Sequence, residues 1–362
     1  REAYKQGDTE GHNLAIGAQA MAGAVNGGEY NVAVGNFSLD ALTSSDMNTA
    51  VGYQAGSAVT TGDGNTLFGY QAGLAVTGAG AYNVCLGTQA GLAITTGIRN
   101  TMVGQAGYQF DTENDNLAIG HAALGGVVAG GEFNVAVGNY ALDAVTSGDI
   151  NTSVGNKAGS GVTTGSGNIL FGHQAGDYST ALTTGNYNIC LGSYTRTSTN
   201  STSNAIVIGT DIATVANRVA IGKSGALIYA DFASSATWTQ SSDKRLKDSI
   251  EATNIGLDFV NELRPVTYKW KDTTTIPEEL TKQKTEVNAK DTETLQYGLI
   301  AQEVKSAMDK VGHDKFTGWD LDEDDTQCLR EGQFIYPLIK AVQELSATVT
   351  TLQQEINTLK GE

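Results

Sequence analysis

Few residues in this 362-residue chain have types and spacing that could do chemistry. Cys85, Cys190 and Cys328 lack the C-x-x-C spacing of zinc and redox sites. Cys85 and Cys190 fill a slot that elsewhere holds Ala, Leu or Met, so they read as small buried hydrophobes. His12, His121 and His173 read as non-equivalent positions, which argues against a shared metal site. Glycoside hydrolysis needs a placed carboxylate pair. The acids Glu29, Asp40, Glu132 and Asp143 recur only because the sequence is duplicated, and they read as solvated turns. The Gly-Gly-x-Gly-x-Asp units of calcium solenoids are missing. No cofactor and no metal is expected. One run stands apart, Ser241-Ser-Asp-Lys-Arg-Leu-Lys-Asp-Ser-Ile250. A Ser or Asp before charges, with Ile250, Leu257, Phe259 and Val260 following, reads as a helix start capped by Ser242 or Asp243.

The elements that must carry these residues fall into two parts. Only six of the 45 glycines lie after residue 241, whereas all three prolines do. Residues 1–241 hold 7 basic and 16 acidic side chains, and the shorter remainder holds 15 and 23. Both parts are acidic, so neither is a nucleic-acid footprint. No run of about 18 apolar residues would span a membrane, and no signal peptide is visible. The start at Arg1 leads to the expectation of a preceding attachment region.

In the first part Asn-x-x-x-Gly recurs every 16 to 20 residues, from Asn13–Gly17 to Asn188–Gly192, with two looser copies after it. A block of about six repeats is itself duplicated. Gly28-Glu-Tyr-Asn-Val-Ala-Val-Gly35 returns as Gly131-Glu-Phe-Asn-Val-Ala-Val-Gly138, and Tyr82-Asn-Val-Cys-Leu-Gly87 as Tyr187-Asn-Ile-Cys-Leu-Gly192. The residues between Asn and Gly read as a short strand, and Gly ends it where positive φ or close approach is needed. Proline is excluded by the ladder. Stacked coils bury what one coil cannot. The expectation is a mainly β fold, with a parallel β-roll or β-solenoid of about 13 coils over residues 1–229 and a polar connector over 230–241. The Asn at each strand start could form an asparagine ladder, but it reads better as a turn cap. Residues at the first strand position, including Thr49, Thr66, Thr101 and Thr152, are taken to point inward, which predicts a thin core and lateral association. These repeats resemble the trimeric β-roll heads of autotransporter adhesins, with Asn217-Arg-Val-Ala-Ile-Gly222 nearest their Asn-x-Val-Ala-Ile-Gly pattern. The steps here are longer than in that family. The resemblance implies a trimer.

Residues 242–362 carry a second pattern. Ser-Asp-x-x-x-Lys-x-x-Ile is followed by Leu263-Arg-Pro-Val-Thr-Tyr-Lys-Trp270 and a polar excursion over 271–294. Then come Tyr297-Gly-Leu-Ile-Ala-Gln-Glu-Val304, with Gly298, Ala301, Gln302, Glu303 and Val304 as its motif residues, and a Tyr336-Pro-Leu-Ile segment. In this order the segments resemble the self-cleaving intramolecular chaperone that ends phage tail fibres and endosialidase tailspikes, across essentially all of 242–362. An α+β domain is expected.

The resemblance implies that Ser242 is a nucleophile, Lys247 its general base and Ser242–Asp243 the scissile bond. A serine hydroxyl needs a neighbouring base, and lysine can serve only if its pKa falls well below about 10.4. Burial, or nearby Lys244 and Arg245, would lower it. Attack by Ser242 on its own carbonyl would close a four-membered ring. Either the serine acts across chains or the cut falls at Ser241–Ser242.

Ile335, Leu338, Val342, Leu345, Val349, Leu352, Ile356 and Leu359 are spaced as an a/d heptad seam within a helix over 333–360. β-Branched a positions with Leu at d favour two strands in isolated parallel coils. Three are expected here, from the resemblances.

The expected function is the distal part of a phage tail fibre, a homotrimer assembled in the host cytoplasm and carried on the virion. Its partners would be the rest of the fibre and a bacterial surface receptor, a glycan or an outer-membrane protein. No nucleic acid and no membrane insertion are expected. Tyr108–Asp115, where the blocks meet, is the candidate contact segment. The C-terminal domain would drive trimerisation and leave by autoproteolysis, its one enzymatic act. The alternatives are a bacterial trimeric surface adhesin, a polysaccharide-degrading tailspike, and an uncleaved fibre with a structural C-terminal cap.

Overall fold

The computed structural model describes residues 11–109, 111–126, 130–232, 235–239, 242–278, 290–322 and 325–361. Ser241, Phe110 of the expected contact segment, part of the connector and residues 279–289 of the polar excursion lie outside the described residues. The chain divides into two compact units, Arg1–Ser242 and Asp243–Glu362.

The first unit is a β-solenoid. Its strands are β1 (Leu14–Ile16), β2 (Val32–Val34), β3 (Thr49–Val51), β4 (Thr66–Phe68), β5 (Val84–Leu86) and β6 (Thr101–Val103). They continue as β7 (Leu117–Ile119), β8 (Val135–Val137), β9 (Thr152–Val154), β10 (Ile169–Phe171), β11 (Ile189–Leu191), β12 (Arg196–Thr197) and β13 (Ile206–Thr210). The last are β14 (Ala213–Thr214), β15 (Arg218–Lys223), β16 (Ala226–Asp231) and β17 (Ser235–Thr239). Among the described residues β1 to β11, β13 and β15 form one parallel ladder in chain order, which makes twelve turns. Equivalent residues stack, so Leu67 faces Cys85 and Cys85 faces Met102.

Each three-residue strand from β2 to β11 buries its middle residue. Ala33, Leu67, Cys85, Met102 and Leu170 are fully buried against Leu39, Val59, Val76 and Ile94 from the other side of the coils. The first and third strand positions point outward, which corrects the sequence reading. Thr49, Thr66, Thr101 and Thr152 are not core residues, and the core is not thin. A three-residue strand offers one side chain to its own coil and two to the other face, because direction alternates along a strand. The outward pair forms an apolar stripe. Leu14, Ile16, Phe68, Leu86, Ile119, Ile169 and Phe171 are 37% to 58% exposed.

The strand-ending glycines form a column. Gly87 has φ +135°, and a Cβ there would sit 2.4 Å from the Gly104 carbonyl oxygen. Both the torsion and the approach of the next coil demand glycine. The asparagines form a second column, and the turn-cap expectation holds only in part: Asn48, Asn65 and Asn116 also bond within their own turns. Each Oδ1 accepts the backbone N–H of the Asn one coil on, at 2.8 to 3.0 Å, without a break from Asn13 to Asn188. Asn31 to Asn188 are buried in this column, so the side chains satisfy backbone groups that water cannot reach.

After β15 the chain reverses. β16 pairs antiparallel with β15, and β17 pairs antiparallel with β16. The stretch 230–241, expected as a polar connector, therefore holds the end of β16 and all of β17. A terminal coil presents unpaired N–H and C=O groups, and an antiparallel strand covers them.

The second unit is α+β. A 3-10 turn, Lys244–Leu246, precedes α1 (Leu257–Glu262). β18 (Val266–Tyr268) pairs antiparallel with β19 (Gln296–Gly298). Then come α2 (Ala301–Val311), the hairpin of β20 (Trp319–Leu321) and β21 (Gln327–Leu329), and α3 (Ile335–Lys360). Phe259, Val304, Met308, Phe316 and Phe334 form the core, with Phe316 edge-on to both other rings at 5.2 Å. The helix expected from 333 starts at Ile335, after a 3-10 turn over Glu331–Phe334. Gly361, in the left-handed region, ends it.

Candidate functional site

The residues around the expected cut sit at a unit boundary. Ser242 closes the first unit and is exposed. Asp243 opens the second as N-cap of the 3-10 turn, its carboxylate accepting the Arg245 N–H at 2.9 Å. The same carboxylate takes the Arg245 guanidinium through Nε at 3.0 Å and Nη2 at 2.7 Å, which holds it below the usual carboxylate range. Lys247 ends the turn and is exposed. The helix expected to start after Ser242 or Asp243 is therefore a single 3-10 turn there, and Ile250 is exposed.

The motif residues lie where β19 runs into α2. Gly298 ends β19, and a Cβ there would be 3.2 Å from the Tyr268 ring. Ala301 begins α2, Gln302 follows it, and Val304 is buried in the core. Glu303, in the first turn, takes the Arg264 guanidinium on both oxygens, with the Nε bond at 2.9 Å. That pairing holds the Glu303 carboxyl low, and the helix N-terminus favours the same charge. The pair ties Arg264-Pro265 at the start of β18 to α2. Beside it opens a cleft of about 760 Å³, walled by Tyr268, Trp270, Pro277, Leu299 and Cys328.

One contact left no sequence signal. Glu344 of α3 accepts the N–H of Leu257 at 2.8 Å and so caps α1 from 87 residues away. A Cβ at Gly256 would strike its carboxylate. This cap draws the Glu344 carboxyl below its usual range, with Lys340 adding to the effect. The seam of α3 faces outward along its length. Ile335, Leu338, Val342, Leu345, Val349, Leu352, Ile356 and Leu359 are all 43% exposed or more.

In the first unit, Cys85 and Cys190 are buried, and burial pushes each thiol up to about 12. His121 and His173 prove to be equivalent, each following a glycine corner and lying edge-on to a tyrosine one coil on, Tyr140 and Tyr194. They are three coils apart, and among the described residues no group of three His, Cys, Asp or Glu could hold a metal ion. Asp40 and Asp143 are half-buried rather than solvated, and burial raises both carboxyls. Within Tyr108–Asp115, Glu113 turns inward and accepts N–H bonds from Asp111, Thr112 and Gly130 at 3.0 to 3.1 Å. Among the described residues no helix is long and apolar enough to cross a membrane.

No curated protein and no solved structure matches the chain. A family model does, and its match stops after α2. Residues 242–313 match the family described as chaperone of endosialidase, and with the β-solenoid ahead of them they fit a phage fibre that ends in a C-terminal chaperone domain.

Proposed function

We propose that the chain is the distal part of a phage tail fibre, a homotrimer whose C-terminal unit sets the register of three shafts and is then released by autoproteolysis beside Ser242. The observation that carries this is a coincidence of boundaries. The division between compact units and the start of the chaperone-family match both fall at Ser242. A tool that leaves after folding must be separate from what it leaves behind.

Two apolar stripes support self-association. The outward strand residues of the solenoid and the seam of α3 are each exposed in the single chain. Large exposed apolar patches are rare on monomeric proteins and mark interaction sites. Register is what a repeat lacks, since a shift by one coil changes little and the rows of Asn and Gly offer the same partners at every step. A chaperone unit that joins three chains at one end removes the ambiguity.

Cleavage has a simple test. Folded wild-type chain should run on a denaturing gel as two fragments, about two-thirds and one-third of the length. Ser242→Ala and Lys247→Ala should each run as one. A full-length wild-type band after complete folding would remove the protease claim and favour a fibre with a permanent C-terminal cap.

A further inference from the structure

The duplicated blocks provide an internal comparison, because most coils of one have a counterpart in the other. After the glycine corner, most coils close with an N–H three residues on. Val59 donates to the Gly56 carbonyl at 3.0 Å and Val162 to the Gly159 carbonyl at 3.0 Å. One coil of the second block differs. Leu182 donates to the Gly176 carbonyl at 2.8 Å, six residues back, and three additional residues bulge out. Leu182 is still fully buried, so the core does not need the extra residues. The bulge is tight. Thr180 donates its N–H to the Tyr178 carbonyl at 2.7 Å, across Ser179 at φ +57°. Three-residue turns with positive φ are rare and strained. The coil beneath makes room, for Gly161 stands where the first block has Ala58, and a Cβ at Gly161 would lie 2.4 Å from Ala181 Cβ. Insertion and clearance occur together.

The bulge completes a cluster that the first block lacks. Tyr178 meets the Tyr194 ring at 4.7 Å, and the Arg196 guanidinium lies 5.3 Å from the centre of the Tyr178 ring. In the first block the places of Tyr194 and Arg196 are taken by Gln89 and Gly91. Arg196 Nη1 donates to the Asp211 carboxylate at 2.8 Å and to the Tyr194 carbonyl at 3.1 Å. Its Nε and Nη2 make no hydrogen bond among the described residues. Tyr178 and His173 are exposed, while Tyr194 and Arg196 are half-buried. A fixed guanidinium thus holds open donors beside a carboxylate acceptor and an exposed ring.

We propose that this cluster binds a neutral hexopyranose unit of a surface glycan. A pyranose has an apolar C–H face, which suits the Tyr178 ring. Its rim of hydroxyls suits the open donors of Arg196 and the acceptor oxygens of Asp211, few polar groups that fix orientation. The Asp211 carboxylate lies within the cluster and Asp177 precedes Tyr178 in the chain, which disfavours an anionic sugar. The proposal rests on the receptor-binding reading of the fibre and names a ligand class for it.

Saturation-transfer NMR on the whole chain tests it, with methyl glucoside, methyl galactoside and methyl N-acetylglucosaminide as probes. At least one should receive saturation at its ring protons. Tyr178→Ala and Arg196→Gln should each weaken binding at least tenfold at an unchanged melting temperature. Gly161→Ala, which displaces the bulge without touching the cluster, should weaken it as well. Saturation of none of the three, or saturation that survives Tyr178→Ala, would overturn the proposal. Adsorption of labelled chain to bacterial cells separates the two readings. Adsorption that Tyr178→Ala leaves intact removes this site and keeps the receptor reading. Sugar binding without adsorption keeps the site and removes the receptor reading.

Discussion

Asn48 donates its backbone N–H to Oδ1 of Asn31 at 2.9 Å, and its side-chain Nδ2 to the same oxygen at 3.2 Å. Asn48 Oδ1 receives the same two bonds from Asn65, at 2.9 and 3.0 Å. A buried side chain is therefore both rung and clamp between successive coils.

Asn48→Ala should cost about 1–3 kcal/mol, because it leaves the buried Asn65 N–H without its acceptor. Asn48→Asp should be no better, since it keeps the oxygen but buries a charge and loses the Nδ2 donor. Chemical denaturation of both variants checks this. An Asp variant as stable as wild type would mean that the column is wetter than its burial indicates.

Gly87→Ala should be far more damaging than Gly11→Ala. The first puts a Cβ 2.4 Å from a backbone oxygen of the next coil at φ +135°, and the second meets nothing within 4 Å among the described residues. Backbone strain added to the clash should exceed about 1 kcal/mol. Melting temperatures of the two variants give the comparison.

Thiol labelling should find one reactive cysteine of three. Cys328 is exposed, while Cys85 and Cys190 are buried with their thiols pushed up to about 12. The thiolate is the reactive form. Native chain should consume one equivalent of a disulfide reagent quickly, and the other two only on unfolding.

Asp40→Asn should raise stability at neutral pH. Burial lifts the Asp40 carboxyl in the folded chain, so the folded state holds its proton more tightly than the unfolded state. Stability is then lost as pH rises through the folded value. Asp143 behaves alike, with Asp177 adding to the lift. The gain in melting temperature should be present at pH 7 and vanish below the unfolded value of about 3.9, where both states are protonated.

The coil period, the terminal glycines and the division of the chain were legible because each is written in residues close in sequence. The inward face was not. Val32 and Val34 flank Ala33, and two large residues around a small one suggest that the large pair is core, yet Ala33 is the buried one. The large pair belongs to a surface that faces away from its own coil, which a single repeat cannot reveal. The asparagine column was passed over in favour of turn capping for a related reason. Turn capping is a local rule, whereas the Asn31–Asn48 bond joins residues 17 apart. The cap that Glu344 places on α1 spans 87 residues and left no trace in either segment. At the proposed cut, the run from Ser242 to Lys247 was visible as a pattern, but its local form was misread. Asp243 and Arg245 pair within one short turn, and that turn ends the helix signal.

The mass of the assembled chain tests the central claim most directly. Native mass spectrometry of Ser242→Ala, which keeps both units joined, should give three times the 37.7-kDa chain. A species of one or two chains would contradict the account, since the outward strand residues and the α3 seam would then lack the threefold partner assigned to them.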